Sequence, residues 1–190
     1  MKNYKKNFDL LKKNHVYSED MEHDACGVGI IASTEGKKSR KVVEYGIEAL
    51  KAVWHRGAVD ADGKTGDGAG IHVEIPKDFF IEKIEVTGHT YDNSEICVGM
   101  IFLPRNDYSS QESCKTIVES ELTKNNFSIY GWRQVPVNPK VLGEKALQTM
   151  PEIIQVLFKS NDSNLLDKNL ERKIYETRKI IENKAFNASL

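Results

Sequence analysis

At 190 residues, 39% of them hydrophobic and 29% charged, the chain has ordinary globular composition and enough length for one domain with a real core. Lys and Arg (27) nearly balance Asp and Glu (28), which leaves no electrostatic footprint for nucleic acid or for an anionic membrane surface. No apolar run reaches the length of a membrane span, and three cysteines without a CxxC spacing predict neither a disulfide framework nor a zinc site.

Residues 1–25 read as a polar leader without a sustained period. Their only apolar patch is Phe8, Leu10 and Leu11, which is too little for a secretory core. Asp9, Glu19, Asp20, Glu22 and Asp24 argue against a transit peptide, so a cytoplasmic protein is expected. The character changes at Cys26. The run from Cys26 to Ser33 is short, apolar and partly β-branched, and it breaks at Glu35-Gly36-Lys37, which predicts a buried strand. Ser39 can cap a helix running to about Trp54, with Val43, Ile47, Leu50 and Trp54 on one face.

A glycine-rich loop then spans Gly57 to Gly70. Ile71, Val73 and Ile75 alternate as a half-buried strand stopped by Pro76. A short helix is expected over 78–84, a strand from Ile96 to Leu103, and a helix over 110–124 with Ile117, Val118 and Leu122 inward. Strands follow at Phe127–Val135, despite Gly131, and at Ile153–Phe158. Leu166, Leu170, Ile174 and Ile181 line a last long helix, and Ala185 to Leu190 looks like the start of a further strand. Grouped strands with helices between them favour α+β layers or an α/β sandwich.

The glycine loop invites two readings that fail on spacing. Gly63-Lys64-Thr65 suggests a phosphate-binding loop, but that motif needs a glycine where Ala58 stands and a strand where a helix precedes. Asp60 and Asp62 suggest a calcium loop, yet its third ligand, glycine and closing glutamate positions hold Lys64, Thr65 and Ile71. What remains is a tight loop whose glycines permit positive φ and whose acids face water. Cys26 is different. A lone cysteine in an apolar strand is ordinarily a buried structural thiol. If residues 1–25 were removed, however, its freed α-amine, with a reference pKa of about 7.7–8.0, could accept the thiol proton. Nucleophile and base would then sit on one residue, and Gly27 and Gly29 would let a substrate approach the backbone.

Glu22-His-Asp-Ala-Cys-Gly-Val-Gly-Ile-Ile-Ala32 resembles the processing site of the glutamate synthase family, in which a short propeptide is removed just before the cysteine. His55-Arg-Gly-Ala58, Asp62 and Thr65-Gly-Asp-Gly-Ala-Gly-Ile71 resemble the same family. The HRG element is shared with other class II glutamine amidotransferases, and the TGDGAGI form is the more particular one. Leu142-Gly143, Pro151 and Ile154-Gln155-Val156 are also similar. The resemblance runs from about residue 20 to the chain's end. It implies residues 1–25 as a propeptide and 26–190 as the N-terminal part of an amidotransferase domain. It also implies an α+β fold of the N-terminal nucleophile hydrolase type, an αββα sandwich incomplete at the C-terminus.

The implied activity is release of ammonia from glutamine by Cys26 as nucleophile. Arg56 would stand beside it in support, where a guanidinium can orient groups and favour thiolate, and Gly27 would flank it. Read without the resemblance, Arg56 is a surface cation suited to a helix C-terminus. His55 is expected to pack the turn and Asp67 to fix the loop. Cys97 and Cys114 are expected to be structural, and His15 and His23 to leave with the propeptide.

No cofactor or metal is implied in this segment. FMN and an iron–sulfur cluster are implied downstream, with NADPH or ferredoxin as electron donor. The implied partners are glutamine, synthase domains of the same polypeptide and a small flavin-containing subunit. The family's carboxylate-binding arginine and its Asn-Gly oxyanion element do not occur before Leu190, so the sequence is expected to be a fragment. Two rivals are weighed against this reading: another class II amidotransferase, disfavoured by the long leader and the glycine loop, and a non-catalytic binding remnant, disfavoured by the intact motif at 22–32.

Overall fold

A computed structural model describes residues 2–14 and 27–190. They fall into two compact units, one drawn from 2–14, 27–59 and 66–71, the other from 60–65 and 72–190.

The second unit contains the sheet. Strands β1 (Cys97–Leu103), β2 (Phe127–Gln134) and β3 (Glu152–Ser160) form one antiparallel sheet in the order β1-β3-β2. Cys97 pairs with Phe158 and Leu103 with Glu152 on one edge of β3, and Phe127 pairs with Ser160 on the other. Because side chains alternate across a strand, the run Ile153-Ile154-Gln155-Val156-Leu157-Phe158 sends residues to both faces. Val156 and Phe158 join Cys97, Phe127, Val118 and Leu122 of helix α4 (Tyr108–Lys124) and Leu170 of helix α6 (Asp167–Asn187). Leu157 points the other way, into Phe80 and Ile84 of helix α3 (Lys77–Val86), with Ile96 and Tyr130. Helices therefore cover both faces of β3. The polar Gln155 is buried but satisfied, since Arg133 donates to its Oε1 at 2.5 Å.

Gly131 explains why β2 survives a glycine. It sits at the β-bulge after Ile129 with φ +150, and a Cβ there would come within 2.8 Å of Thr87 Cγ2. Thr87 ends α3 and lies within hydrogen-bond reach of both Ile84 O (2.6 Å) and Tyr130 O (2.8 Å), which ties the helix to the bulged strand. On the opposite face, Glu121 of α4 is buried and accepts from Lys184 of α6 at 2.6 Å and from Lys124 at 3.0 Å. Asp107 caps α4 by accepting from Ser110 N at 3.0 Å.

In the first unit, helix α2 (Arg40–Ala52) starts as expected. Ser39 is extended and its side chain accepts from Lys41 N at 3.2 Å. Val43, Ile47 and Leu50 are half-buried, but Trp54 is 76% exposed, because α2 stops at Ala52 and a 3-10 turn, Trp54–Arg56, rotates it off the face. A short helix α5 (Glu144–Thr149) of the second unit precedes β3.

Several sequence expectations are corrected. Within the leader, read as having no sustained period, Lys2–Lys13 forms helix α1. Phe8 and Lys12 stand one turn apart, with the Lys12 ammonium 4.7 Å from the Phe8 ring centre, a helical i,i+4 contact. Residues 27–33 and 71–76 contain no strand among the described residues. Val28 and Ile30 are each 88% exposed, and Ile71, Val73 and Ile75 are exposed too, because no described strand supplies the hydrogen-bonding edge that an apolar run needs to become a strand. Leu166 is an exposed N-cap of α6, outside its inward line of Leu170, Ile174 and Ile181. The tail from Ala185, expected as a strand, continues α6 to Asn187 and ends in a turn. No described helix is long and apolar enough to cross a membrane.

Leu157 has no exposed surface. Leu157→Ala should therefore cost about 2–5 kcal/mol, whereas Met100→Ala on the half-exposed side of β1 should stay within about 0.5 kcal/mol. Urea unfolding followed by circular dichroism compares the two, and equal losses would contradict burial of β3 on both faces.

The Lys184 and Lys124 ammonium groups hold the Glu121 carboxyl below its ordinary value. A depressed folded-state value stabilises above the unfolded glutamate range, near pH 4.3, and that contribution drains away as pH falls through the folded value. The stability deficit of Glu121→Gln should thus be constant from pH 8 to pH 5 and shrink below pH 4. A deficit that grows on acidification would show that the clasp is not ionic.

Candidate functional site

Cys26 lies outside the described residues, as do Glu22, His23 and His15. Its neighbour Gly27 is described. A Cβ at position 27 would stand 3.3 Å from Arg56 Cδ, 3.7 Å from Arg56 Nε and 3.7 Å from Val53 Cβ. The bare backbone at 27 therefore lies against the Arg56 side chain. The end of α2 makes this possible. Val53 N bonds to Ala49 O at 3.3 Å, Arg56 N to Val53 O at 2.9 Å and Gly57 N to Trp54 O at 3.0 Å. The tightened turn delivers Arg56 to the segment that follows Cys26. The structure thus brings together two of the residues singled out in the sequence, Gly27 and Arg56. His55, expected to pack the turn, is exposed.

The base of the glycine loop is closed within the first unit. Val59 and Gly66 form an antiparallel bridge, Asp67 N bonds to Ala58 O at 3.2 Å, and Asp67 Oδ2 accepts from Ala58 N at 2.8 Å. Asp67 fixes the loop, as expected. The loop's tip belongs to the second unit. There Asp60 N bonds to Thr65 O at 2.7 Å, and Gly63 turns the chain with φ +68. Asp62 Oδ1 accepts from Lys64 N (2.9 Å) and Thr65 N (2.7 Å), while Thr65 Oγ1 donates to Asp62 Oδ2 at 2.5 Å.

These bonds, that of the Thr65 hydroxyl first, hold the Asp62 carboxyl well below the usual carboxylate range. The acids do not simply face water: Asp62 is turned onto the loop's own N–H groups, and Asp60 accepts from Lys145 Nζ at 2.6 Å. The amides that a phosphate would need at residues 64 and 65 are already occupied. Among the described residues no group of three or more His, Cys, Asp or Glu could hold a metal.

The other two cysteines sit apart from Arg56 in sequence and in environment. Cys97 is 4% exposed on β1, and burial pushes its thiol up to about 12. Cys114 on α4 is half-buried and also raised by burial. Both are poor sources of thiolate, in keeping with a structural role. What sequence reasoning missed is the pairing of Asp60 with Lys145 and the seating of Thr65 on Gly143. Each lay in a quoted motif or beside one, but no periodicity connects segments so far apart.

Compared with known proteins, residues 26–189 match the family described as glutamine amidotransferases class-II. Over 179 residues the chain is 51% identical to the glutamate synthase [NADPH] large chain of Azospirillum brasilense, covering 94% of this chain and 12% of that one. It is 39% identical over 178 residues to ferredoxin-dependent glutamate synthase 2, chloroplastic, of Arabidopsis thaliana, covering 92% and 11%. It is 40% identical over 174 residues to a ferredoxin-dependent glutamate synthase of Pyropia yezoensis, covering 91% and 11%. The chain spans 12% or less of the length of these relatives.

The burial of Cys97 makes a direct prediction. With its thiol raised to about 12, iodoacetamide at pH 7.5 should leave Cys97 unmodified in the folded protein while denaturation exposes it. Peptide mass mapping reads both states. Rapid labelling of Cys97 without unfolding would contradict its place in the core.

Proposed function

Since the chain belongs to the class II glutamine amidotransferases, we propose that it is the N-terminal part of the glutaminase domain of a glutamate synthase, with Cys26 as the nucleophile. The observation that carries this reading is the family match, which begins at Cys26 and runs to residue 189. Identity of 51% to a glutamate synthase large chain makes that parent the preferred one. The approach of Gly27 to Arg56 adds physical support, since it puts a guanidinium beside the residue that follows the nucleophile.

Residues 1–25 act as a propeptide in this reading, and cleavage of the Ala25–Cys26 bond frees the Cys26 α-amine. The amine takes the thiol proton, and the thiolate attacks the side-chain carboxamide carbon of glutamine. The tetrahedral intermediate collapses with proton transfer to the leaving nitrogen, which departs as ammonia and leaves a γ-glutamyl thioester on Cys26. Water then attacks the thioester, giving glutamate and regenerating the thiol. Arg56 orients groups at the nucleophile and favours the thiolate. In this reading, the donors for the oxyanion and the cation for the glutamine carboxylate would be further residues of the same domain, acting with Cys26.

The fold would be the αββα sandwich of N-terminal nucleophile hydrolases, residues 26–190 being its first part. The three-stranded sheet, with helices on both faces, would be one portion of it. The exposed apolar runs at 27–33 and 71–75 are the segments available to a further sheet. The ammonia would pass to 2-oxoglutarate in synthase domains of the same polypeptide. FMN and an iron–sulfur cluster held there would supply the reducing electrons, drawn from NADPH through a small flavin-containing subunit or from ferredoxin. We place the protein in the cytoplasm because the five carboxylates of its leader argue against a transit peptide.

The test is Cys26→Ser in the full-length protein. Glutamine-dependent glutamate synthesis should fall by about 10³-fold or more, while synthesis from free ammonia continues. Intact mass of the active protein should show Cys26 as the first residue. Glutamine-dependent turnover that survives the substitution, or full activity in a protein still carrying residues 1–25, would overturn the reading.

A further inference from the structure

We propose that Gly143 is a positioning residue for this reaction: the bare backbone at 143 is the seat on which the tip of the glycine-rich loop, Asp60–Thr65, is clamped. The functional half of the proposal rests on the reading just given; the clamp itself rests on geometry within the second unit alone.

A Cβ built at Gly143 would lie inside 3.0 Å of three atoms: Thr65 Oγ1, Thr65 N and Asp62 Oδ2, the last at 2.5 Å. None of the three is free to move aside. Thr65 N is backbone. Thr65 Oγ1 is held by its bond to Asp62 Oδ2 at 2.5 Å, and Asp62 is itself held through Oδ1 by the N–H groups of Lys64 and Thr65. A second tie stands two residues on, where Lys145 Nζ meets Asp60 Oδ2 at 2.6 Å across 85 residues of sequence. Asp62 therefore ties the loop into a rigid tip, Gly143 lets that tip lie on the backbone, and Lys145 holds its rim.

An ordinary glycine before a short helix is replaceable, because Gly143 has φ −73 and any residue adopts that backbone. The demand for glycine here comes from the neighbour and not from the turn. The functional consequence follows from chain order. Asp60 is four residues after Arg56, so the clamp limits the freedom of the segment that leaves the arginine beside Gly27. Misplacement by about 1 Å at a distance from the chemistry costs on the order of 10²-fold.

The experiment uses the full-length protein and four variants. Gly143→Ala removes the seat, and Asp62→Ala removes the tie. Thr65→Val keeps the shape but loses the hydroxyl donor, and Thr65→Ser keeps the donor. Trypsin cleavage after Lys64, in the middle of the tip, reads the clamp independently of any activity.

Gly143→Ala, Asp62→Ala and Thr65→Val should each accelerate that cleavage and lower glutamine kcat/KM by about 10- to 100-fold. Ammonia-dependent synthesis should be unchanged, and Thr65→Ser should behave as the parent. The Gly143→Ala/Asp62→Ala double variant should be no worse than the poorer single one, since both break the same contact. If Gly143→Ala also loses ammonia-dependent synthesis through misfolding, the Thr65→Val and Thr65→Ser pair decides the matter. Unchanged cleavage in Gly143→Ala or Thr65→Val, or multiplicative losses in the double variant, would overturn the clamp. Faster cleavage with an unchanged, Cys26-dependent glutamine rate would overturn its role in the reaction while leaving the assignment of Cys26 intact. If the glutamine rate of the parent proves independent of Cys26, the preceding reading fails, and the cleavage results still decide the clamp.

Discussion

Covering β3 on both faces while pairing it on both edges is the constraint from which most of the second unit follows. Such a strand must satisfy all its amides within the sheet, and every side chain must find an apolar or hydrogen-bonding partner. Seven register pairs to β1 and seven to β2 meet the first demand. The second fixes where the helices go. Val156 and Phe158 require α4 and α6 on one side, and Leu157 requires α3 on the other. Burying a side chain such as Leu157 is worth about 1.5–3 kcal/mol, and β3 does this repeatedly over nine residues.

The same logic explains the exposed apolar runs found in each unit. Apolar runs that are not paired in a sheet cannot be buried without stranding their backbone groups, so residues 27–33 and 71–76 carry exposed valines and isoleucines. Order in this region comes from short-range ties instead. The turn at Trp54–Arg56, the bridge between Val59 and Gly66 and the Asp67 carboxylate on Ala58 N each close a few residues of chain. Such ties fix direction cheaply, which is what a site built from loops requires.

Elements stabilised mainly by their own pattern were legible in the sequence. The alternating and continuous apolar runs gave β1, β2 and β3 within a residue or two, and Ser39 gave the start of α2. Elements decided by a partner were not. The run at 27–33 has the composition of a strand but no edge to join among the described residues. The tail from Ala185 has apolar residues, but Phe186 is 81% exposed and the helix before it simply continues. Helix α1 was missed because its polar sequence hides a helical line through Phe8 and Lys12. At the site, Arg56 and Asp67 were readable because they stand in a motif. The seat at Gly143 was not, since its reason lies in a side chain far away along the chain.

Three glycines show how differently the same residue is demanded. Gly131 needs both its backbone, at φ +150, and its missing side chain, because Thr87 fills the space. Gly27 adopts an approach that a Cβ would only tighten, since the nearest atom, Arg56 Cδ at 3.3 Å, belongs to a flexible side chain. Gly143 faces backbone and a carboxylate already held by two N–H groups, so nothing there can yield. The cost of a methyl group therefore rises from 27 to 143. Tolerance is set by whether the neighbour can move, and the hydrogen bonds that make Asp62 and Thr65 immobile are the reason position 143 must remain bare.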